Sequence, residues 1–308
     1  MGPRPPPPPA QPPSLSLADL PDAAWGEVAA CLEPEDLGRL ACVSRELHEL
    51  LPPHVPALFH YAEKGDAEAV RRLLQLPCFD VECDIPLVHH RGSTEMTVLQ
   101  VSAAKGHAVV LAAVLAVAPQ DYLDQELKDF PMPLFYACAA GHPAAVAALV
   151  GAGANVSAAD EGGETALMAA CQAGSRGAAD HLIAAGAPVN AADDGGCTAL
   201  MRAAARNCVG AMDSLLAAGA DVAALDSEGR SALVLALTHC KTPAAIRLLE
   251  AGAELAAEDV QEASRARRAA GAEAKMWPDT LVAWSLNQGR LDIVEAVLNG
   301  LEPAQPSV

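Results

Sequence analysis

A spacing of 33 residues recurs along this chain and narrows the folds open to it more than any other feature. Thr165, Thr198 and Ser231 each open a run that continues Ala-Leu, and they lie 33 residues apart. Apolar pairs keep the same step at Leu149-Val150, Leu182-Ile183, Leu215-Leu216 and Leu248-Leu249. So do Gly153-Ala154, Gly186-Ala187, Gly219-Ala220 and Gly252-Ala253. Three markers in one register describe a stacked array, in which each unit buries its apolar face only against its neighbours.

Each marker has a physical task. A Thr or Ser hydroxyl can accept from the free N–H groups of a helix's first turn. An Ala-rich first helix follows, thin enough to stack closely on the next. Gly106, Gly141, Gly174 and Gly289 end that helix where the chain reverses. Asn207 and Cys240 hold the same place in two other units. The apolar pair then sits on the buried face of a second helix, and Gly-Ala turns the chain out of it. Composition agrees with helices: the 52% hydrophobic share is largely alanine and aromatics are only 3%, whereas a β-sandwich favours branched and aromatic residues. The expected fold class is all-α.

The repeat resembles the ankyrin repeat. Met132-Pro-Leu-Phe-Tyr-Ala-Cys-Ala-Ala-Gly-His142 keeps part of that family's helix-opening pattern, and Gly106-His107 repeats its ending. Weaker units are expected at Pro56 to Gly65 with Leu73-Leu74, at Thr97 to Gly106 with Val114-Leu115, and at Thr280 to Gly289 with Val297-Leu298. That makes an array of about seven units over residues 54–300, with an insertion at about 258–277 whose content reads as a charged helix, solvated rather than a binding element. The family's helix-opening His is replaced by Phe59, Gln100, Phe135, Met168, Met201, Val234 and Ala283. The resemblance implies that its side-chain hydrogen bonds between units are missing.

Ahead of the array the composition changes twice. Residues 1–13 are Pro-rich, with Pro5 to Pro9 unbroken, and suit an extended tail; residues 301–308 form a second tail. Residues 14–53 carry apolar positions Trp25, Val28, Ala29 and Leu32 on one helical face, then a turn with Pro34 that starts another helix. This segment resembles an F-box through Leu20-Pro21, Leu32, Glu33-Pro-Glu-Asp-Leu37 and Val43-Ser-Arg45. The resemblance implies docking on a Skp-family adaptor, and through it a cullin, by Leu20, Pro21, Trp25, Val28, Leu32, Leu37, Leu40 and Val43. The alternative is that these helices only cap the open end of the array.

Chemistry has little to stand on. No Gly-rich phosphate loop, Gly-x-Ser-x-Gly or His-Glu-x-x-His motif occurs. Cys78, Cys83, His89 and His90 lack the spacing of a usual zinc site. Neither a catalytic residue nor a cofactor is expected. A net charge of -19, from 39 acidic and 20 basic residues, repels phosphates and argues against a nucleic-acid partner. No run of about 18 strongly apolar residues suggests a membrane span. The N-terminal residues lack the apolar core of a secretory signal, and an odd cysteine count of nine fits free thiols. Cytoplasm or nucleus is the expected location.

The ankyrin resemblance implies a concave groove lined by first helices and hairpin tips. Its target-binding residues would be Tyr136, Gln172, Arg202, Arg206, Leu235, His239 and Trp284, with His60, Lys64, Val101, Lys105 and Gln288 on the same face. The tips Asp160-Glu161, Asp193-Asp194 and Asp226 with Glu228 are acidic, which favours a basic protein target. The function expected is that of a substrate receptor in a Skp–cullin–F-box ubiquitin ligase. The alternative is an interaction scaffold without a ligase.

Overall fold

The computed structural model describes residues 54–75, 89–91, 94–117, 132–269 and 277–301. The chain divides into two compact units, Met1–Val98 and Leu99–Val308. In the first, α1 (His54–Lys64) and α2 (Ala67–Leu74) pack as a helical pair with Leu58, Ala62, Val70 and Leu73 buried. Asp66 caps α2 by accepting from the Ala69 N–H at 3.0 Å. A short antiparallel hairpin follows, β1 (His89–Arg91) with β2 (Thr94–Met96).

The second unit is a succession of helix pairs. They are α3 (Val98–Lys105) with α4 (Ala108–Leu115), α5 (Pro133–Ala139) with α6 (Pro143–Gly151), and α7 (Ala166–Ala173) with α8 (Arg176–Ala184). Next come α9 (Ala199–Arg206) with α10 (Val209–Ala217), and α11 (Ala232–Thr238) with α12 (Thr242–Glu250). First helices stack in one row, α5 on α7 on α9 on α11, and second helices in another, α4 on α6 on α8 on α10 on α12. Alanines at 137, 170, 203 and 236 are fully buried between the first helices, where a larger side chain would push the row apart.

The helix starts are built as the sequence implied. Thr165 accepts from the Met168 N–H and Thr198 from the Met201 N–H, both at 3.4 Å, and Ser231 accepts from the Val234 N–H at 3.3 Å. In α9 the thioether of Met201 also accepts from the Thr198 N–H at 3.4 Å. A methionine thus closes a reciprocal cap of the kind usually made by Glu or Gln. At the helix ends Gly174 adopts φ +75°, and Asn207 and Cys240 adopt φ +61° and +57°. Asn207 adds a link between units, because its Oδ1 accepts from the Ala244 N–H at 3.1 Å.

The C-terminal part departs from the regular pattern. The charged helix expected in the insertion is present as α13 (Ala257–Ala269), but it is not simply solvated: it packs on α11 in the first row, with Val260 and Ala263 fully buried. It begins directly after the turn at Gly252, so the hairpin that precedes α7, α9 and α11 is missing here. The last pair then enters in exchanged order. Helix α14 (Trp277–Asn287) lies against α12, and α15 (Leu291–Leu301) lies against α13. The charged residues of α13 hid its core stripe, since Val260 and Ala263 are only two small apolar side chains. Among the described residues no helix is long and apolar enough to cross a membrane.

Candidate protein-binding site

Hairpin fingers precede α7, α9 and α11, each closed by an antiparallel bridge: Ala159 with Thr165, Ala192 with Thr198, Leu225 with Ser231. One aspartate holds each finger. Asp160 accepts from the N–H groups of Gly162 and Glu164, Asp193 from Gly195 and Cys197, and Asp226 from Glu228 and Arg230, at 2.8 to 3.0 Å. This is the aspartate's usual device of bonding its own backbone a few residues on. The fingers also bond to one another. Asp194 N–H donates to the Gly162 carbonyl at 3.0 Å and Ser227 N–H to the Gly195 carbonyl at 2.8 Å.

These bonds redraw the acidic rim. The Asp193 side chain is 9% exposed and the Asp226 side chain 5%. Arg202 donates to Asp193 at 2.7 Å and Arg230 to Asp226 at 2.9 Å. Burial pushes both carboxyls up, but the arginine and backbone donors outweigh it and hold both below the ordinary aspartate value. Neither aspartate is free to meet a cationic partner. The solvent-facing acids are Asp160, Glu161, Asp194 and Glu228, and Glu228 is itself paired with Arg230 at 2.8 Å.

The residues expected to face a target fall into distinct groups. Tyr136, Gln172 and Arg202 are half-buried on α5, α7 and α9, while Arg206 and His239 are exposed at or just past the ends of α9 and α11. Arg202 Nη1 also donates to Gln172 Oε1 at 2.6 Å, so it ties two first helices and a finger together. Its first task is structural. Burial pushes the Tyr136 phenol up, which keeps it neutral and able to donate a hydrogen bond.

Two expectations are corrected by the packing. Leu235 is 7% exposed and belongs to the core, because α13 stacks over that side of α11. Trp284 lies on α14, which packs in the row of second helices, so its backbone is not on the face carrying Tyr136 and Arg206. The cause is the same: α13 fills the first-row place next to α11 that the reading of 258–277 as an insertion left to the helix at Thr280. In the first unit, His60 is half-buried and Lys64 exposed; in the second, Val101 is half-buried and Lys105 exposed. Leu20, Pro21, Trp25, Val28, Leu32, Leu37, Leu40 and Val43 lie outside the described residues.

Cys138 and Cys171 are buried, and that burial pushes both thiols up to about 12, with the neighbouring Cys171 and Cys208 sulfurs adding to it. A thiol held protonated is a poor nucleophile. Among the described residues no group of three or more His, Cys, Asp or Glu is placed to hold a metal ion.

A family model for ankyrin repeats in three copies matches residues 114–193, 134–226 and 177–259. A second, for the F-box domain, matches residues 17–52. The chain carries an F-box ahead of ankyrin repeats. No curated protein matches it. In this F-box/ankyrin chain the F-box match spans every residue expected to dock an adaptor. The ankyrin matches span Tyr136, Gln172, Arg202, Arg206, Leu235 and His239, and reach into α13, whose first residues they cover. Both are modules of protein interaction.

Proposed function

We propose that this chain is a substrate receptor of a Skp–cullin–F-box ubiquitin ligase: the F-box holds a Skp-type adaptor and the ankyrin face holds the protein to be modified. The observation that carries the reading is the pairing of an F-box match at residues 17–52 with an ankyrin array, two modules of protein interaction. An adaptor-docking module adds nothing to a plain scaffold. It gives a binding array a destination.

Target contact is assigned to Tyr136, Arg206 and His239, with Gln172 and Arg202 shaping the floor between them. Tyr and Arg are the residue types that most often dominate interface energetics. Arg206 is exposed and makes no ion pair among the described residues, so its charge is available to a carboxylate on the target. With the rim reduced to Asp160, Glu161, Asp194 and the paired Glu228, the surface suits a target of mixed charge better than a strongly basic one. The adaptor contact is assigned to Leu20, Pro21, Trp25, Val28, Leu32, Leu37, Leu40 and Val43.

Proximity labelling in cells tests both halves at once. A Leu20→Ala/Pro21→Ala variant is expected to lose the adaptor and cullin while keeping its other neighbours. A Tyr136→Ala/Arg206→Glu/His239→Ala variant is expected to do the reverse. Retention of an adaptor by the first variant, or an unchanged neighbour set for the second, would contradict the assignment.

A further inference from the structure

The finger-to-finger hydrogen bonds stop at one defined carbonyl. In the regular part, the residue after each finger's aspartate donates its N–H to the preceding finger: Asp194 to Gly162, then Ser227 to Gly195. The next donor in this series, 33 residues past Ser227, is Val260. Val260 is fully buried inside helix α13, which starts without a finger. Among the described residues the Glu228 carbonyl, equivalent to those of Gly162 and Gly195, therefore receives no such bond.

Two further observations fall on the same edge. A Cβ on Gly163 would meet the Asp193 Cα at 3.1 Å, and one on Gly196 would meet the Ser227 backbone nitrogen at 3.0 Å. At Gly229 nothing lies within 4 Å, so the space filled elsewhere by the next finger is open. In the same finger Leu225, bridged to Ser231, is 60% exposed. The matching positions in the two earlier fingers are alanines, Ala159 and Ala192. All three positions are solvent-facing, and among the described fingers only this last one carries a large apolar side chain there.

We infer that this edge, formed by the Glu228 carbonyl, Gly229 and Leu225, takes an extended segment of the target protein, which donates a backbone N–H to Glu228 and lays an apolar side chain on Leu225. The occupant follows from continuity with the intramolecular stack, where the preceding fingers already accept a backbone N–H from extended chain at the same register. An open backbone edge is a template for such pairing, with main-chain bonds giving affinity and side-chain contacts giving selectivity. The inference names a recognition element within the target-binding role proposed above and rests on it.

The test is a titration of the isotopically labelled full chain with a blocked hexapeptide of alternating valine and threonine, followed by amide NMR shifts. A parallel titration uses the same peptide with every amide N-methylated. Saturable shifts confined to residues 225–230, about fivefold weaker with the N-methylated peptide as expected for loss of one backbone hydrogen bond, would bear the inference out. Leu225→Glu should weaken the unmodified peptide to a similar degree. No saturable shift at these residues, or equal binding of both peptides, would overturn it. The peptide comparison uses unaltered protein and so does not depend on how the variant folds. It is also independent of the F-box: an adaptor that fails to bind leaves the titration intact, and a failed titration leaves adaptor docking standing.

Discussion

Gly196 and Gly229 occupy the same turn one repeat apart, at φ +74° and +79°, and differ in what lies beside them. Placing alanine at either puts a Cβ in the left-handed region, at about 1–2 kcal/mol. Loss of unfolded-chain freedom returns about 0.4–1 kcal/mol of that. Gly229→Ala has nothing further to meet, so its net cost should be about 0.5–1 kcal/mol. Gly196→Ala must also displace backbone, the Ser227 nitrogen at 3.0 Å and the Asp226 Cα at 3.1 Å. Those atoms belong to the finger that donates to Gly195 and cannot rotate away as a side chain could. Crowding of this kind adds about 1–3 kcal/mol, for a total of roughly 2–4 kcal/mol. Urea unfolding followed by far-ultraviolet circular dichroism measures both variants against the parent chain. Equal losses, or a larger loss at Gly229, would refute the argument that the stack closes at Gly196 and is open at Gly229.

Other consequences follow from single residues. Cys240→Gly should stabilise the chain by about 0.5–1 kcal/mol, because it relieves a side chain held at φ +57° while giving the unfolded chain more freedom; a lowered melting temperature would contradict this. Val260→Asp should cost more than 3 kcal/mol by burying an unpaired carboxylate, whereas a solvated insertion would tolerate it with no change in the unfolding midpoint. Thiol labelling with mass-spectrometric mapping should find Cys240, which is exposed, modified at once, and Cys138 and Cys171, which are buried, only as the chain unfolds. The carboxyls of Asp193 and Asp226 lie below their ordinary value when folded. Their contribution is therefore complete above the unfolded value near 4 and fades as pH falls through the folded one. An Asp193→Asn/Asp226→Asn variant should be less stable at neutral pH and show a shallower loss on acidification.

What the sequence disclosed was whatever recurs. The caps Thr165, Thr198 and Ser231, the turns at Gly174 and Asn207 and the buried leucines at 149, 182, 215 and 248 all sit on the 33-residue step. Each performs a local task that its residue type performs anywhere. The departures depended on contacts remote in sequence. Arg202 reads as a surface arginine by its position on α9, and only the finger geometry brings Asp193, nine residues earlier, within 2.7 Å. Asp226 reads as an acidic tip, yet its oxygens are taken by the backbone of its own loop and by Arg230. Helix α13 reads as a charged, solvated helix because most of its residues are polar, and its place in the first row rests on Val260 and Ala263. Once α13 occupies that place, Leu235 is covered and the Trp284 helix is displaced to the other row. For the F-box the signal was a motif, Leu20-Pro21 with Pro34-Glu-Asp-Leu37, which the domain match at residues 17–52 recovers.

The central claim is that the F-box is an adaptor dock and not a cap on the repeats. It is tested most directly by titrating a purified Skp-type adaptor into the purified full chain, with the Leu20→Ala/Pro21→Ala variant alongside, and by recording the melting temperature of both. The account predicts a one-to-one complex with the parent chain, none with the variant, and equal melting temperatures for their repeats. No complex with a well-folded parent chain, together with a lowered melting temperature in the variant, would contradict it.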